Sequence, residues 1–392
     1  MRDNAAQALS NINTTMSQRY ITLLLDLLED GNPDSRRTKA EELWRGILNE
    51  KMSPLTIDNR AYFFYYGRAE SVSLAGDWTY WQPGAYFNRV EHTDLFYAIQ
   101  EFDIAARLQY KMIVNGEWQL DEANPRSTVE GFGVNSEFLM PGYVDNSWLV
   151  PQGKRPQKGH IERLMTPSVS GYRPHELFLY VPNEHYRRQT EDLPLLLMHD
   201  GAESLRIGRF HEIIDNLLAG GKIEPFAAAF LTPGDRISEY ALDARYPDYC
   251  AHEVLPFAVS CFAERNIIIA GEAKNHSVGG ASLGGLLATK TALEFPDSFG
   301  VAIAQSPSYW WNQGEIFRSR YLKNAPNIKF ILQTGTVCDA QRLTQLMHLR
   351  LNGLGATAHY SEFPQGHTWG NWRSNFAEAL MNWKPTAAKL AA

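Results

Sequence analysis

The stretch Gly280-Ala281-Ser282-Leu283-Gly284-Gly285 decides how this chain is read, because a serine set among small residues just before a helix has a specific structural use. Upstream, the apolar run Ile267-Ile268-Ile269-Ala270 reads as a buried strand, and downstream Leu286 to Leu293 reads as a helix. G-x-S-x-G in the order strand, turn, helix is a nucleophile elbow: small flanking residues permit a strained turn that holds the serine Oγ clear of the sheet. The helix N-terminus behind it favours negative charge as it develops. Further out, short apolar runs at Leu193 to Met198, Ala227 to Leu231, Val301 to Ala304 and Ile328 to Leu332 alternate with helix-like segments. These are Phe210 to Leu218, Cys250 to Phe262 and Gly284 to Phe295. Buried strands alternating with helices predict a mostly parallel sheet covered on both faces, an α/β domain spanning residues 160–392.

A serine nucleophile needs a base, and the base needs an orienting acid. On an α/β-hydrolase sheet the chain order is serine, acid, histidine. Downstream of Ser282, His348 falls in the helical run Ala340 to Leu351 and His359 on the strand Ala356 to Phe363. His367 instead lies in the loop Pro364-Gln365-Gly366-His367-Thr368-Trp369, where a base can reach the end of the sheet, and it is the expected base. Asp339, in the loop after the strand Phe330 to Gln333, is the expected acid; a helix N-cap is its ordinary alternative, and Glu362 on the last strand is the rival carboxylate. Oxyanion donors are expected from the N–H of Leu283 and from Gly201 or Ala202 in the loop after Leu195-Leu196-Leu197-Met198. Two further clusters flank the site. Arg236 and Glu239 either bind an anionic or hydroxyl-rich substrate or pair with each other, and Trp310 and Trp311 either stack on a flat substrate group or pack under their loop.

The N-terminal part has a different texture. Residues 1–50 read as a helical arm, with Tyr20, Leu23, Leu24, Leu27 and Leu28 at helical spacing, a break at Gly31-Asn32-Pro33, and a second helix capped by Ser35. Over residues 51–150 the period becomes two, as in Leu95-Phe96-Tyr97-Ala98-Ile99 and Leu108 to Val114 with the turn Asn115-Gly116, which predicts an antiparallel β-sandwich. Asn146 to Gly159, with two prolines and two glycines among polar residues, reads as the linker.

Composition sets outer limits. The chain has 392 residues, 37 basic against 44 acidic for a net charge of −7, and 44% hydrophobic residues, which is ordinary for globular protein. The acidic balance and the lack of Lys/Arg blocks argue against a nucleic-acid partner. Three cysteines, Cys250, Cys261 and Cys338, have neither disulfide-framework nor zinc-site spacing, so a reducing compartment is expected, and the serine chemistry set out above requires no metal or organic cofactor. The run Ile21 to Leu28 is interrupted by Asp26 and too short for a membrane span or signal peptide, so no membrane association is expected.

Several of these motifs occur together in one known family. Gly280 to Gly285, Glu294-Phe295-Pro296-Asp297-Ser298-Phe299-Gly300, Ser306-Pro307-Ser308-Tyr309-Trp310-Trp311, Asp235 to Tyr240 and Gly366-His367 together resemble the enterochelin (enterobactin) esterases and their esterase D-like relatives, across about residues 165–385. The resemblance implies an α/β-hydrolase fold preceded by an immunoglobulin-like domain. It also implies cytoplasmic hydrolysis of a ferric catecholate siderophore ester by a triad mapping to Ser282, His367 and Asp339. An anionic substrate calls for local cations, and Arg173, Arg236 and Lys274 lie near the expected loops. A second resemblance, of Leu74 to Trp81, Tyr110-Lys111, Gly116 to Trp118 and Asn135, is to the glycogen-binding type of carbohydrate module. It implies glycan contacts at Trp81, Lys111, Trp118 and Asn135, and keeps open a carbohydrate esterase of feruloyl or acetyl xylan type acting on a glycan ester.

Overall fold

A computed structural model describes residues 2–169, 171–187 and 192–384, with side chains from residue 15 onward. Residue 1 and residues 385–392, at the ends of the first and last expected segments, lie outside the described residues. The chain divides into two compact units, Met1–Val144 with Pro364–Gly366, and Asp145–Phe363 with His367–Ala392.

In the first unit, one antiparallel sheet runs Leu55–Ile57, Arg60–Tyr66, Leu95–Glu101, Asn88–Arg89. A second runs Val72–Gly76, Arg107–Val114, Gly133–Leu139, Ser127–Glu130, with Glu117–Gln119 also paired to Arg107–Val114. Period-two alternation turns the apolar faces inward, and Phe63 of the first sheet meets Tyr110 and Phe138 of the second edge-on at 5.1 and 5.5 Å. The two sheets pack against each other through these rings. Asn115 and Gly116 both take left-handed backbone (φ 50° and 89°), as a two-residue hairpin turn between right-twisted strands requires.

The arm forms two helices, Arg2–Glu29 and Pro33–Glu50. Their stripe of Tyr20, Leu24, Leu27, Leu43 and Ile47 shares one buried cluster with Leu55, Tyr62 and Phe64, so it belongs to the sandwich unit and is not a separate arm. The second helix also begins earlier than Ser35. Asn32 is its cap, accepting from the N–H groups of Asp34 and Ser35, and Pro33 takes the first position, where a missing N–H costs no helical bond. The Ser35 hydroxyl donates to Asp30 instead.

The second unit is built on an eight-stranded sheet in the order His160–Met165, Glu176–Val181, Ala227–Leu231, Leu195–His199, His276–Ala281, Val301–Gln305, Lys329–Gly335, Thr357–Phe363. Only Glu176–Val181 runs against the others. Every residue of the strands Ala227–Leu231, His276–Ala281 and Val301–Gln305 is buried, the mark of strands covered on both faces. The two faces have separate cores: Leu195, Leu197, Ala302 and Leu332 point to one, and Leu196, Met198, Ile303 and Ile331 to the other.

One strand differs from the expectation. Ile267 to Ala270 makes only an isolated bridge, Leu193 to Ile269, and the strand that feeds the serine turn is His276–Ala281. Its polar start hides it, because His276 is buried with its ring nitrogens against the carbonyls of Ala270 and Ser298. Its second glycine is a steric necessity: a Cβ on Gly280 would lie 2.5 Å from the backbone of Gly284, where the next helix crosses the strand end.

Candidate active site

Ser282 stands between the strand His276–Ala281 and the helix Leu283–Glu294 with φ 59° and ψ −122°, a left-handed conformation costly for a side-chain-bearing residue. The turn is held by the Ser282 N–H donating to Gln305 O at 2.9 Å and by close approach around the glycines. A Cβ on Gly284 would sit 3.1 Å from the Asp200 carboxylate, and one on Gly285 would sit 3.2 Å from the Gln305 carbonyl.

Asp339 follows the strand Lys329–Gly335, and His367 follows Thr357–Phe363, so all three side chains rise at the carboxyl ends of parallel strands, with Val301–Gln305 lying between the serine's strand and the other two. They form one hydrogen-bonded line. His367 Nε2 is 2.9 Å from Ser282 Oγ, and His367 Nδ1 is 2.6 Å from Asp339 Oδ1. His367 is partly exposed, its ring lying edge-on to Trp372 at 5.2 Å, whereas the Asp339 side chain is fully buried. Burial alone would raise the Asp339 pKa. The hydrogen bond and charge of His367, with donors from Ser306 Oγ and Gly335 N, outweigh it and hold the carboxyl below its ordinary value. Glu362, the rival acid, is engaged elsewhere by Gln341 Nε2 and the Tyr360 hydroxyl.

The flanking residues fall out differently. Leu283 begins the helix directly behind Ser282, where an N–H can face a developing oxyanion. Ala202 does not match its expected role, since its N–H is donated to Thr232 Oγ1 at 3.0 Å. Gly201 packs so closely on the Phe230–Leu231 backbone that a Cβ would come within 2.5 Å of it. Arg236 is not paired with Glu239 and does not present a free fork. Its Nε and Nη2 bind Asp200 at 2.7 and 2.8 Å, and Nη2 also reaches Ala281 O at 3.3 Å, so the guanidinium braces the residue before Ser282. Glu239 accepts from His175 Nε2 and from Gly234 N–H. Trp310 is 55% exposed, while Trp311 tucks against the core with its ring 5.7 Å from Trp310. His199 is buried beside the Asp200–Arg236 pair; burial, and then the charge of Arg236, push its pKa down to about 3, so its imidazole is neutral at physiological pH.

Removing the brace has a cost that can be measured. Arg236→Ala leaves the buried Asp200 carboxylate unpaired, and stability is expected to fall by about 3 kcal/mol, the low end for a buried pair because a third of Arg236 is exposed (34%). Urea unfolding checks this as a lower midpoint at unchanged slope.

Two contributors escaped the sequence reading. Ser308 Oγ lies 3.3 Å from Ser282 Oγ, with its N–H bonded to Ser282 O at 3.0 Å, and Ser306 Oγ lies 2.6 Å from Asp339 Oδ2. Both sit in the Ser306-Pro307-Ser308 turn after the strand next to the nucleophile strand, the one signal that could have singled them out.

On the sandwich, Lys111, Trp118 and Asn135 share one sheet face. Trp118 lies opposite Ile113, two residues from Lys111, and Asn135 adjoins the Tyr110–Ser136 pair on the opposite face from Tyr110. Trp118 is 47% exposed, Asn135 Nδ2 donates to Gln109 Oε1, and the Trp81 indole N–H donates to buried Asp77.

An eight-stranded sheet with one reversed strand, carrying serine, carboxylate and histidine in that chain order on loops at its carboxyl end, places the second unit in the α/β-hydrolase-like class. Within that class the chain belongs to the putative esterase family, whose model matches residues 168–383. Among individual proteins, it is 26% identical over 336 residues to the iron(III) enterobactin esterase of Escherichia coli O6:H1 (strain CFT073), covering 78% of this chain and 77% of that one. It is 25% identical over 214 residues to the iron(III) enterobactin esterase of Escherichia coli K12, spanning about half (51%) of that protein's length and 50% of its own. The structure of the enterobactin esterase from Shigella flexneri in the presence of enterobactin superposes with a TM-score of 0.69 at 18% identity, over 88% of this chain and 97% of that one. The ferric enterobactin esterase from Salmonella typhimurium gives 0.70 at 18% identity, over 83% and 93%. Among the described residues no helix is long and apolar enough to cross a membrane.

Proposed function

We propose that this chain is a serine carboxylic-ester hydrolase that cleaves the ester backbone of a catecholate siderophore of the enterobactin type, working in the cytoplasm. The observation that carries the chemistry is the 2.9 and 2.6 Å line from Ser282 through His367 to Asp339 at a strained turn. The substrate class is supported by likeness to an iron(III) enterobactin esterase over 78% of the chain. Ser282 Oγ attacks the ester carbonyl as His367 Nε2 takes its proton, and the Leu283 N–H faces the developing oxyanion. His367 then protonates the leaving alkoxide, Asp339 holds the imidazole in the required tautomer, and water activated by His367 releases the acyl group. These steps call for no cofactor. The ferric siderophore enters as substrate, the sandwich is read as the immunoglobulin-like domain of such esterases, and neither nucleic acid nor membrane is a partner.

The test is hydrolysis of ferric and apo enterobactin beside methyl ferulate and acetylated xylan, with Ser282→Ala as control. Ser282-dependent cleavage of the siderophore alone supports the reading, and cleavage of only the ferulate or acetyl esters overturns it. The second reading, a carbohydrate esterase, is favoured by the shared face of Lys111, Trp118 and Asn135, and retention on insoluble glucan or xylan distinguishes it.

Trp310 offers a more local check. Its exposed indole suits stacking on an aromatic acyl group, so Trp310→Ala is expected to raise KM for aromatic-acyl substrates roughly five- to tenfold, the equivalent of about 1 kcal/mol. KM for an acetyl ester and the melting temperature should stay unchanged, and an equal rise for both esters would count against stacking.

A further inference from the structure

Asp339 does more than face His367. Its second oxygen, Oδ2, accepts from Ser306 Oγ at 2.6 Å, from Gly335 N–H at 2.6 Å and, more weakly, from Thr334 Oγ1 at 3.4 Å. The Ser306 hydroxyl is in turn 3.0 Å from the indole Nε1 of Trp372. An indole N–H can only donate, so Ser306 Oγ must accept there, and its single proton is left for the carboxylate. The direction of the chain is therefore fixed: Trp372 to Ser306, Ser306 to Asp339, Asp339 to His367. Ser306 is fully buried and keeps a left-handed backbone (φ 43°), which carries some conformational cost. Trp372 closes the loop by setting its ring against the His367 imidazole.

Resting on the triad reading above, we propose that Ser306, oriented by Trp372, is a positioning residue that sets the strength of the Asp339–His367 interaction. A donor on Oδ2 draws negative charge away from Oδ1, so the carboxylate stabilises the imidazolium less than it would alone. Without that donor the imidazolium is held more tightly and the base is freed only at higher pH. Of the titratable groups around this assembly, His367 bonds the carboxylate and Tyr360 on the neighbouring strand feels its charge; Glu362 is bound to Tyr360, Cys338 is the residue before Asp339 in the chain, and the Arg236–Asp200 pair reaches the carbonyl of Ala281. Among the described residues, the side chains that bond the carboxylate within 3 Å are those of His367 and Ser306.

The experiment measures kcat and KM for 4-nitrophenyl butyrate against pH in the full chain, for Ser306→Ala, Trp372→Phe, the double variant and Ser282→Ala. Ser306→Ala removes the donor that fixes the carboxylate's orientation toward Nδ1, so kcat is expected to fall about tenfold with KM within twofold, while the restored charge on Oδ1 moves the acid limb of kcat/KM upward by roughly half a pH unit. Trp372→Phe should shift the limb in the same direction by less. Because the indole acts through Ser306, the double variant should lose no more than Ser306→Ala, and its lack of an orphaned indole N–H guards against a misfolded result. An unmoved acid limb in Ser306→Ala, or losses that multiply in the double variant, would overturn the proposal. If Ser282→Ala itself kept activity, the triad reading would fall instead, so the two failures are separable.

Discussion

Ser282→Ala is expected to abolish ester hydrolysis, with kcat falling by about five to six orders of magnitude while substrate still binds. The size of the loss follows from the line of contacts. With Oγ gone, His367 Nε2 has no proton to accept at 2.9 Å, and the covalent route is closed at its first step. What survives is the acceleration that oxyanion donors and binding alone supply, about three to four orders over water. Alanine suits the turn no worse than serine does, so thermal unfolding should match the parent chain. Single-turnover measurement with the siderophore checks the result; residual turnover within a hundredfold of the parent would place the nucleophile elsewhere.

Asp339→Asn is expected to be the next most damaging change, lowering kcat about ten-thousandfold at neutral pH. The Asp339 carboxylate accepts the Nδ1–H of His367, which leaves Nε2 free to act as base. An amide that turns its NH₂ toward Nδ1 selects the opposite tautomer, in which Nε2 carries the proton and cannot take another from Ser282. Glu362→Gln provides the contrast. Its carboxylate is occupied by Gln341 and Tyr360, so activity should remain near that of the parent. If the two variants exchanged phenotypes, the acid would have to be reassigned to Glu362.

The three residues of this line were legible because each is announced locally. Ser282 has its glycines, Asp339 a strand-to-loop transition, and His367 a short loop between strand and helix. The α/β pattern was legible for the same reason, since central strands buried on both faces are continuous apolar runs. The strand beneath the serine was not. His276 and Ser277 look like loop residues, and only pairing with the distant strands Leu195–His199 and Val301–Gln305, with the His276 ring satisfied by the carbonyls of Ala270 and Ser298, makes them a strand. Pairings between distant segments were equally hidden. Arg236 has Glu239 three residues away, and it chose Asp200, where the end of one strand meets the loop of another. Ser306 and Trp372 are 66 residues apart, and no local spacing links an indole to a hydroxyl that far off.

Asp200, Ser282 and Ser306 all take positive φ without being glycine, and the strands that Asp200 and Ser306 follow flank the strand that leads to Ser282. The backbone there is kept in a conformation that glycine would adopt more easily, so part of the stability of the surrounding sheet goes into holding it. A laboratory search for heat-hardened variants that scored only survival on warming would reward substitutions that let these turns relax, and would drift toward a sturdier, inert protein. Thermostabilisation of this chain therefore has to be screened by turnover after heating, with these three positions held constant and improvements sought in the helices and strands farther from the elbow.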